Sequence, residues 1–140
     1  MSQTHQEQLD NTSTQDPLGN APRITVDDLK NAIQEVHYFT AGDGFVGAMV
    51  HNNDLMATMP TDDNGTPIIE APKTLDLMTF CIVILKNGWK VVGQSACVSP
   101  ENFNAEYGQS LAHKNAMDQI WPLLGFNLAQ QLHDEKSQLN

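Results

Sequence analysis

Two apolar runs joined by an Asn-Gly pair constrain the fold of this chain more than any other feature. The segment LDLMTFCIVILKNGWKVVGQSAC holds two stretches rich in β-branched residues, and Asn87 and Gly88 lie between them. Asn-Gly is the pair preferred in two-residue hairpin turns. We therefore expect two antiparallel strands, over residues 77–86 and 89–97.

A two-residue turn also predicts a register for this hairpin. It places Ile82 opposite Gly93 and Met78 opposite Cys97. Directly opposed residues share a face of the sheet, so Cys81 and Cys97 are expected on opposite faces. The sequence then predicts two free thiols, as is usual in a reducing compartment.

We expect helices to cover one face of the hairpin, with a third strand or a partner subunit elsewhere, because an isolated hairpin is only marginally stable in water. Thr25 is a suitable N-cap for an amphipathic helix over residues 26–37. Ser99 and Pro100 fit the start of a C-terminal helix. Pro122 should kink or break that helix, so that a second helix covers about residues 122–133. The expected buried positions are Phe103, Tyr107, Leu111, Ala112, Ala116 and Ile120.

The fold class expected from these elements is α+β. It is an antiparallel hairpin or small meander of two to four strands, packed by one N-terminal and one or two C-terminal helices. At 140 residues the chain is long enough for one domain. We expect a disordered acidic arm over residues 1–21 and a single domain over residues 22–136, with a mobile loop at about 52–76.

The charge of the chain argues against nucleic-acid binding. Its net charge is −10, with 17 acidic and 7 basic residues, whereas phosphate contacts need clustered Lys and Arg. An acidic mimic of nucleic acid is a less favoured alternative, since a solvated acidic surface is the common case. The sequence shows no run of about 20 apolar residues, so no membrane association is expected.

A glycine-rich run, TAGDGFVGAM, contains G-x-G-x-x-G in Gly42, Gly44 and Gly47. A dinucleotide site needs these glycines between a strand and a helix. Because the run follows a predicted helix, we expect a turn that leads into a short strand over residues 45–50. A loop that binds a nucleotide through its backbone N–H groups is the alternative.

Cys97 is the one weak candidate for a catalytic residue, because a thiol near a helix N-terminus can be activated. Nucleophilic catalysis also needs a base within reach. His113 should lie too far along the helix, and His37 has no predicted position near the thiol. We therefore expect a structural cysteine. The histidines and cysteines show no paired ligand spacing, so no metal and no cofactor is expected.

Four segments in the second half of the chain resemble a known family. They are LKNGWKVVGQSAC, SPENFNAEYG, NAMDQIWPL and GFNLAQQL, and PRITVDDLKNAIQEVHYFTAGDG adds to them. Over residues 22–132 the chain resembles the phage gene forty-nine / gene sixty-six family, short proteins of tailed phages and prophages with no assigned function. The resemblance implies a phage accessory protein in the cytoplasm of an infected bacterium.

The leading functional hypothesis is a non-enzymatic binding protein that modulates a bacterial host protein. Aromatic residues often anchor interfaces, so Trp89, Trp121 and Phe126 are the candidate contact residues. A small-molecule or nucleotide-sequestering protein is the main alternative, and a thiol enzyme centred on Cys97 is less favoured. A homodimer or higher oligomer is expected to help a core built on so few strands.

Overall fold

The computed structural model describes residues 21–139 and confirms an α+β fold. Three strands form one antiparallel sheet in the order β1-β2-β3, and they are Ile33–Thr40, Met78–Leu85 and Lys90–Ala96. The helices are α1 (Val26–Ala32), α2 (Ala41–Val50), α3 (Asn53–Met56) and α4 (Ala105–Leu139), with 3-10 turns at Lys73–Leu77 and Pro100–Asn102. The arm expected over residues 1–21 lies outside the described residues except for Ala21.

The N-terminal helix starts where the sequence predicts, but it is shorter than predicted. Thr25 Oγ1 accepts from the N–H of Asp28 at 3.1 Å, and the Asp28 carboxylate accepts from the N–H of Thr25 at 2.8 Å. The helix then ends at Ala32, and the run IQEVHYFT forms β1. This run is rich in β-branched and aromatic residues, and its pairing with β2 outweighs the helical spacing of its apolar residues.

Both predicted hairpin strands are present, but the predicted register is wrong by one residue. The turn holds three residues, because the N–H of Leu85 donates to the carbonyl of Trp89 at 2.8 Å and Gly88 has a φ of 88°. This is the three-residue hairpin loop with a glycine in the left-handed region. Cys81 therefore pairs with Gly93. The shift moves every β3 side chain to the face opposite to the predicted one.

Both cysteines are free, as predicted, although the reason differs. The N–H of Cys97 donates to the carbonyl of Leu77 at 2.9 Å, so Cys97 lies on the same face as Cys81 rather than on the opposite one. The two residues are separated by four positions along the strands, about 13 Å at 3.3 Å per residue. That spacing is well beyond the reach of a disulfide.

One face of the sheet is covered by α4, and the core lies between them. Ala112, Ala116 and Ile120 of this helix are completely buried. A Cβ atom at Gly93 would overlap the carbonyl oxygen of Ala112 and the amide nitrogen of Ala116, so the backbones of β3 and α4 touch at this glycine. The other buried core residues are Leu29, Cys81, Val83, Leu85 and Val91.

The outer edge of β3 is also covered by α4. The side-chain amide of Asn115 donates to the carbonyl of Gln94 at 2.7 Å, and that of Gln119 donates to the carbonyl of Val92 at 2.6 Å. Both carbonyls point away from β2, because alternate residues of an antiparallel strand direct their polar groups outward. The helix thus satisfies edge groups that would otherwise invite pairing with another strand.

The C-terminal helix differs from its prediction at the start. Ser99 makes no side-chain cap, and Pro100–Asn102 form a 3-10 turn. The helix begins at Ala105, where Asn104 Oδ1 accepts from the N–H of Tyr107 at 3.1 Å. Gly108, Ala112 and Ala116 form the face of α4 that packs on the sheet. Tyr107 and Leu111 lie beside this face and are exposed rather than buried, at 65% and 37%.

The expected break at Pro122 does not occur, and α4 runs as a single helix. Pro122 and Asp118 are both exposed, so the carbonyl that loses its hydrogen bond can be solvated. The 35 residues of α4 span about 52 Å, whereas the eight residues of β2 span about 26 Å. The C-terminal part of the helix therefore extends past the sheet.

The glycine-rich run forms α2, so the expected turn and the strand over residues 45–50 are wrong. Residues 52–76 contain α3 and a turn in which Asp62 Oδ1 accepts from the N–H groups of Asn64 and Thr66. A helix long and apolar enough to cross a membrane is absent from the described residues.

Substitution of Gly93 by Ala should destabilise the protein strongly. The new methyl group would force the backbones of β3 and α4 apart, at a cost of about 1–3 kcal/mol in the free energy of unfolding. Gly125→Ala is the control, because Gly125 lies in the same helix and its Cβ would meet no atom within 4 Å. The control should gain about 0.5–1 kcal/mol. Urea unfolding of both variants measures the difference in their free energies of unfolding. Equal values would contradict the close contact between Gly93 and α4.

Asn104→Ala should lower the free energy of unfolding by about 1 kcal/mol, because it removes the hydrogen bond that caps α4. Ser99→Ala should change it by less than about 0.5 kcal/mol, since Ser99 caps no helix. Chemical denaturation of the two variants tests the helix start directly. A larger loss for Ser99→Ala would place the start where the sequence prediction had it.

Candidate functional site

An exposed aromatic surface lies at the hairpin end of the molecule. Trp89 directly follows the hairpin turn, and 59% of its surface is exposed. It lines a pocket of about 290 Å³ with Leu123, Leu124 and Asn127 of α4. Phe126, which is 72% exposed, follows Leu123 by one helical turn. We call these five residues the hairpin-end surface.

Trp121, the third aromatic candidate, does not share this exposure. It is half-buried and packs against the core beside Met117. Side-chain exposure therefore separates the three aromatic candidates into two exposed residues and one residue packed against the core. The sequence pattern could not make this distinction, because it depends on how far α4 extends past the sheet.

Cys97 lies in the wall of a second pocket, of about 240 Å³. The apolar part of this wall includes Leu77, Phe103 and Leu111. Cys97 is half-buried, and its thiol donates to the carbonyl of Ser99 at 3.1 Å. The hydroxyl of Ser95, which also lines the pocket, donates to the carbonyl of Gly108 at 2.6 Å.

The residues that line the Cys97 pocket, all of them in the described chain, include no His, Asp or Glu. His113 instead packs against the ring of Tyr38, with a centroid separation of 6.5 Å. His37 pairs with the Glu35 carboxylate at 2.9 Å. A thiol nucleophile needs a base within hydrogen-bonding distance, and neither histidine is placed to supply it.

The three glycines of the G-x-G-x-x-G run lie within α2 and do not form a loop. Gly42 is buried, and a Cβ at this position would overlap the carboxylate of Asp76. Gly44 would meet only the Phe39 ring, and Gly47 would meet nothing within 4 Å. Of the three glycines, only Gly42 has a close contact, and that contact is with the end of a side chain.

The N-terminus of α2 carries two carboxylates of the protein itself. Asp43 accepts from the N–H of Thr40 at 3.0 Å, and Thr40 Oγ1 accepts from the N–H of Asp43. Asp76, which belongs to the 3-10 turn Lys73–Leu77, lies against Gly42 in the first turn of α2. A phosphate at this helix end would meet these two negative charges, so the geometry opposes a nucleotide site here.

A group of three residues that the sequence did not single out lies between β1 and α4. Tyr38 is paired with Cys81 across the sheet and contacts His113. Burial raises the pKa of the Cys81 thiol, while the hydrogen bond with Tyr38 acts in the opposite direction. Burial, together with Cys81, raises the pKa of the Tyr38 phenol. The alternation of β1 would have identified Tyr38, but only if that segment had been read as a strand.

Metal-ligand geometry is absent from the described part of the chain, where His, Cys, Asp and Glu form no group of three that could hold an ion.

The combination of a three-stranded antiparallel sheet and one long helix defines a small two-layer α+β protein. A family model matches residues 24–132, so the chain belongs to the phage protein (N4 Gp49/phage Sf6 gene 66) family. Membership confirms the resemblance noted in the sequence and indicates a phage accessory function. No curated protein and no solved structure matches the chain significantly.

The two thiols should differ sharply in reactivity. Cys97 should be alkylated in the native protein, since it is half-buried in a pocket wall. Cys81 has no exposed surface, and burial also disfavours its thiolate, so it should react only when the protein unfolds. Mass spectrometry of peptides after timed alkylation measures both rates, with Cys97→Ser as the control in which Cys81 alone remains. Similar rates for the two thiols would contradict this assignment.

Proposed function

We propose that this chain is a non-enzymatic binding protein that modulates a bacterial host protein in the cytoplasm of an infected cell. The observation that carries the proposal is the hairpin-end surface. Trp89 and Phe126 are large aromatic side chains that stay mostly exposed beside an apolar pocket. Residues of this kind supply much of the binding energy in protein interfaces when a partner buries them.

The chemistry of the rest of the molecule supports binding over catalysis. The pocket around Cys97 offers a thiol without a base, and the start of α2 is occupied by carboxylates. Membership in a phage family supplies the context, because phage accessory proteins act among the proteins of their host. The host partner in this proposal would present a hydrophobic side chain to the pocket and cover both aromatic rings.

The test is affinity capture from host lysate at increasing salt concentration, with identification of the captured protein by mass spectrometry. Phe126→Ala and Trp89→Ala should each abolish the salt-resistant capture of one dominant protein, since hot-spot aromatics contribute about 2 kcal/mol or more when truncated. Tyr107→Ala is the matched control, because Tyr107 is also an exposed aromatic residue of α4 but lies far from the hairpin end.

Thermal unfolding of each variant separates loss of binding from loss of fold. Phe126→Ala is the cleaner variant in this respect, since most of its side chain is already in water. Capture of the same protein by wild type and by both hairpin-end variants would contradict the proposal. So would loss of capture in Tyr107→Ala alone.

A further inference from the structure

The second face of the sheet, opposite to α4, is apolar along its centre and charged at its sides. We call it the open face. Residues that are directly opposed across the strands share this face. Its members are Glu35, His37 and Phe39 of β1, Met78, Phe80, Ile82 and Ile84 of β2, and Lys90, Val92, Gln94 and Ala96 of β3.

Burial shows that the described chain leaves much of this face accessible. All four β3 side chains on it are exposed, and Val92 keeps 44% of its surface in contact with solvent. The β2 side chains are only half-buried, whereas their neighbours on the α4 side, such as Cys81 and Val83, are completely buried. A row of large apolar side chains that remain partly exposed to solvent is typical of an interaction surface.

The register places opposite charges at the two sides of this row, at one level of the sheet. Glu35 is opposite Ile84, and Ile84 is opposite Lys90. The next level holds His37, Ile82 and Val92 in the same order. The open face therefore has a negative group on its β1 side and a positive group on its β3 side.

This arrangement is complementary to itself under one particular two-fold rotation. If the axis runs parallel to the strands between two stacked sheets, β2 lies over β2 and β1 of one copy faces β3 of the other. Levels along the strands are then preserved, so each Glu35 faces a Lys90. An axis across the strands would instead place β3 over β3, so Lys90 would face no acidic side chain of the other copy.

We propose that the chain forms a two-fold dimer through the open face. Ile82 and Ile84 pack on their counterparts, and Glu35 of each copy pairs with Lys90 of the partner subunit. Sheets stacked in this way are rotated by about 30° because of their twist, and the long lysine side chain can span the resulting offset. Such an interface is isologous, as expected for a closed dimer.

The hairpin half of the face carries the contact. Phe39 and Phe80 lie at the other end, where their rings pack together at a centroid distance of 5.7 Å and the first turns of α2 follow. The hairpin-end surface of the proposed function projects from the α4 side, so a dimer formed through the open face leaves both copies of that surface free.

Charge exchange tests the pairing by sedimentation equilibrium of the full chain. Lys90→Glu and Glu35→Lys should each weaken dimerisation on the order of tenfold, because every dimer holds two such contacts. The combination of both substitutions restores two opposite-charge contacts, so it should return the dissociation constant to near the wild-type value. All the altered side chains are exposed, so each variant is expected to fold.

Lys136→Glu is the control, since it makes the same charge change near the far end of α4 and should leave dimerisation unchanged. Ile82→Glu, checked for folding by circular dichroism, should abolish the dimer. A wild-type chain that stays monomeric at the highest attainable concentration would overturn the proposal. A dimer that persists in Ile82→Glu, or a double variant that fails to recover, would overturn it as well.

Discussion

The contact between Gly93 and the backbone of α4 determines how the rest of the molecule is arranged. Because a side chain at this position would overlap Ala112 and Ala116, only glycine lets the helix approach β3 so closely. The approach brings the side-chain amides of Asn115 and Gln119 within reach of the β3 edge carbonyls. One glycine thus couples the packing of the core to the protection of the sheet edge.

The same contact creates the asymmetry on which the functional proposals depend. The long α4 covers one face of the sheet, whereas α2 lies against Phe39 at one end of the opposite face, so the apolar row around Ile82 stays only half-buried there. The long α4 also extends past the strands, which leaves Phe126 in solvent one helical turn after Leu123, a residue of the Trp89 pocket. The described chain therefore presents two separate apolar surfaces, and neither contains an assembled nucleophile and base.

Local signals in the sequence predicted the helices and strands better than they predicted strand register and packing. The hairpin strands, the Thr25 cap and the fold class followed from residue type and spacing. The register did not follow from local sequence, because Asn87-Gly88 fits both a two-residue turn and a three-residue loop. The close packing of Gly93 against α4 selects the three-residue loop. The β1 strand was missed for a similar reason, since its pairing with β2 is non-local.

The candidate site could be predicted only in part. Composition and motif spacing disfavoured a metal and a nucleotide, and the structure adds the two carboxylates at the start of α2. Exposure separated Trp89 and Phe126 from Trp121, and that property depends on tertiary packing which no local pattern encodes. The phage family gives the context of these surfaces.

Nuclear Overhauser contacts of the Gly93 α-protons test the central claim most directly. Strong contacts are expected from these protons to the amide proton and the α-proton of Ala116. A hairpin with a two-residue turn would place Gly93 opposite Ile82, on the face away from α4. Absence of any contact between the Gly93 α-protons and Ala116 would contradict the close approach of β3 and α4.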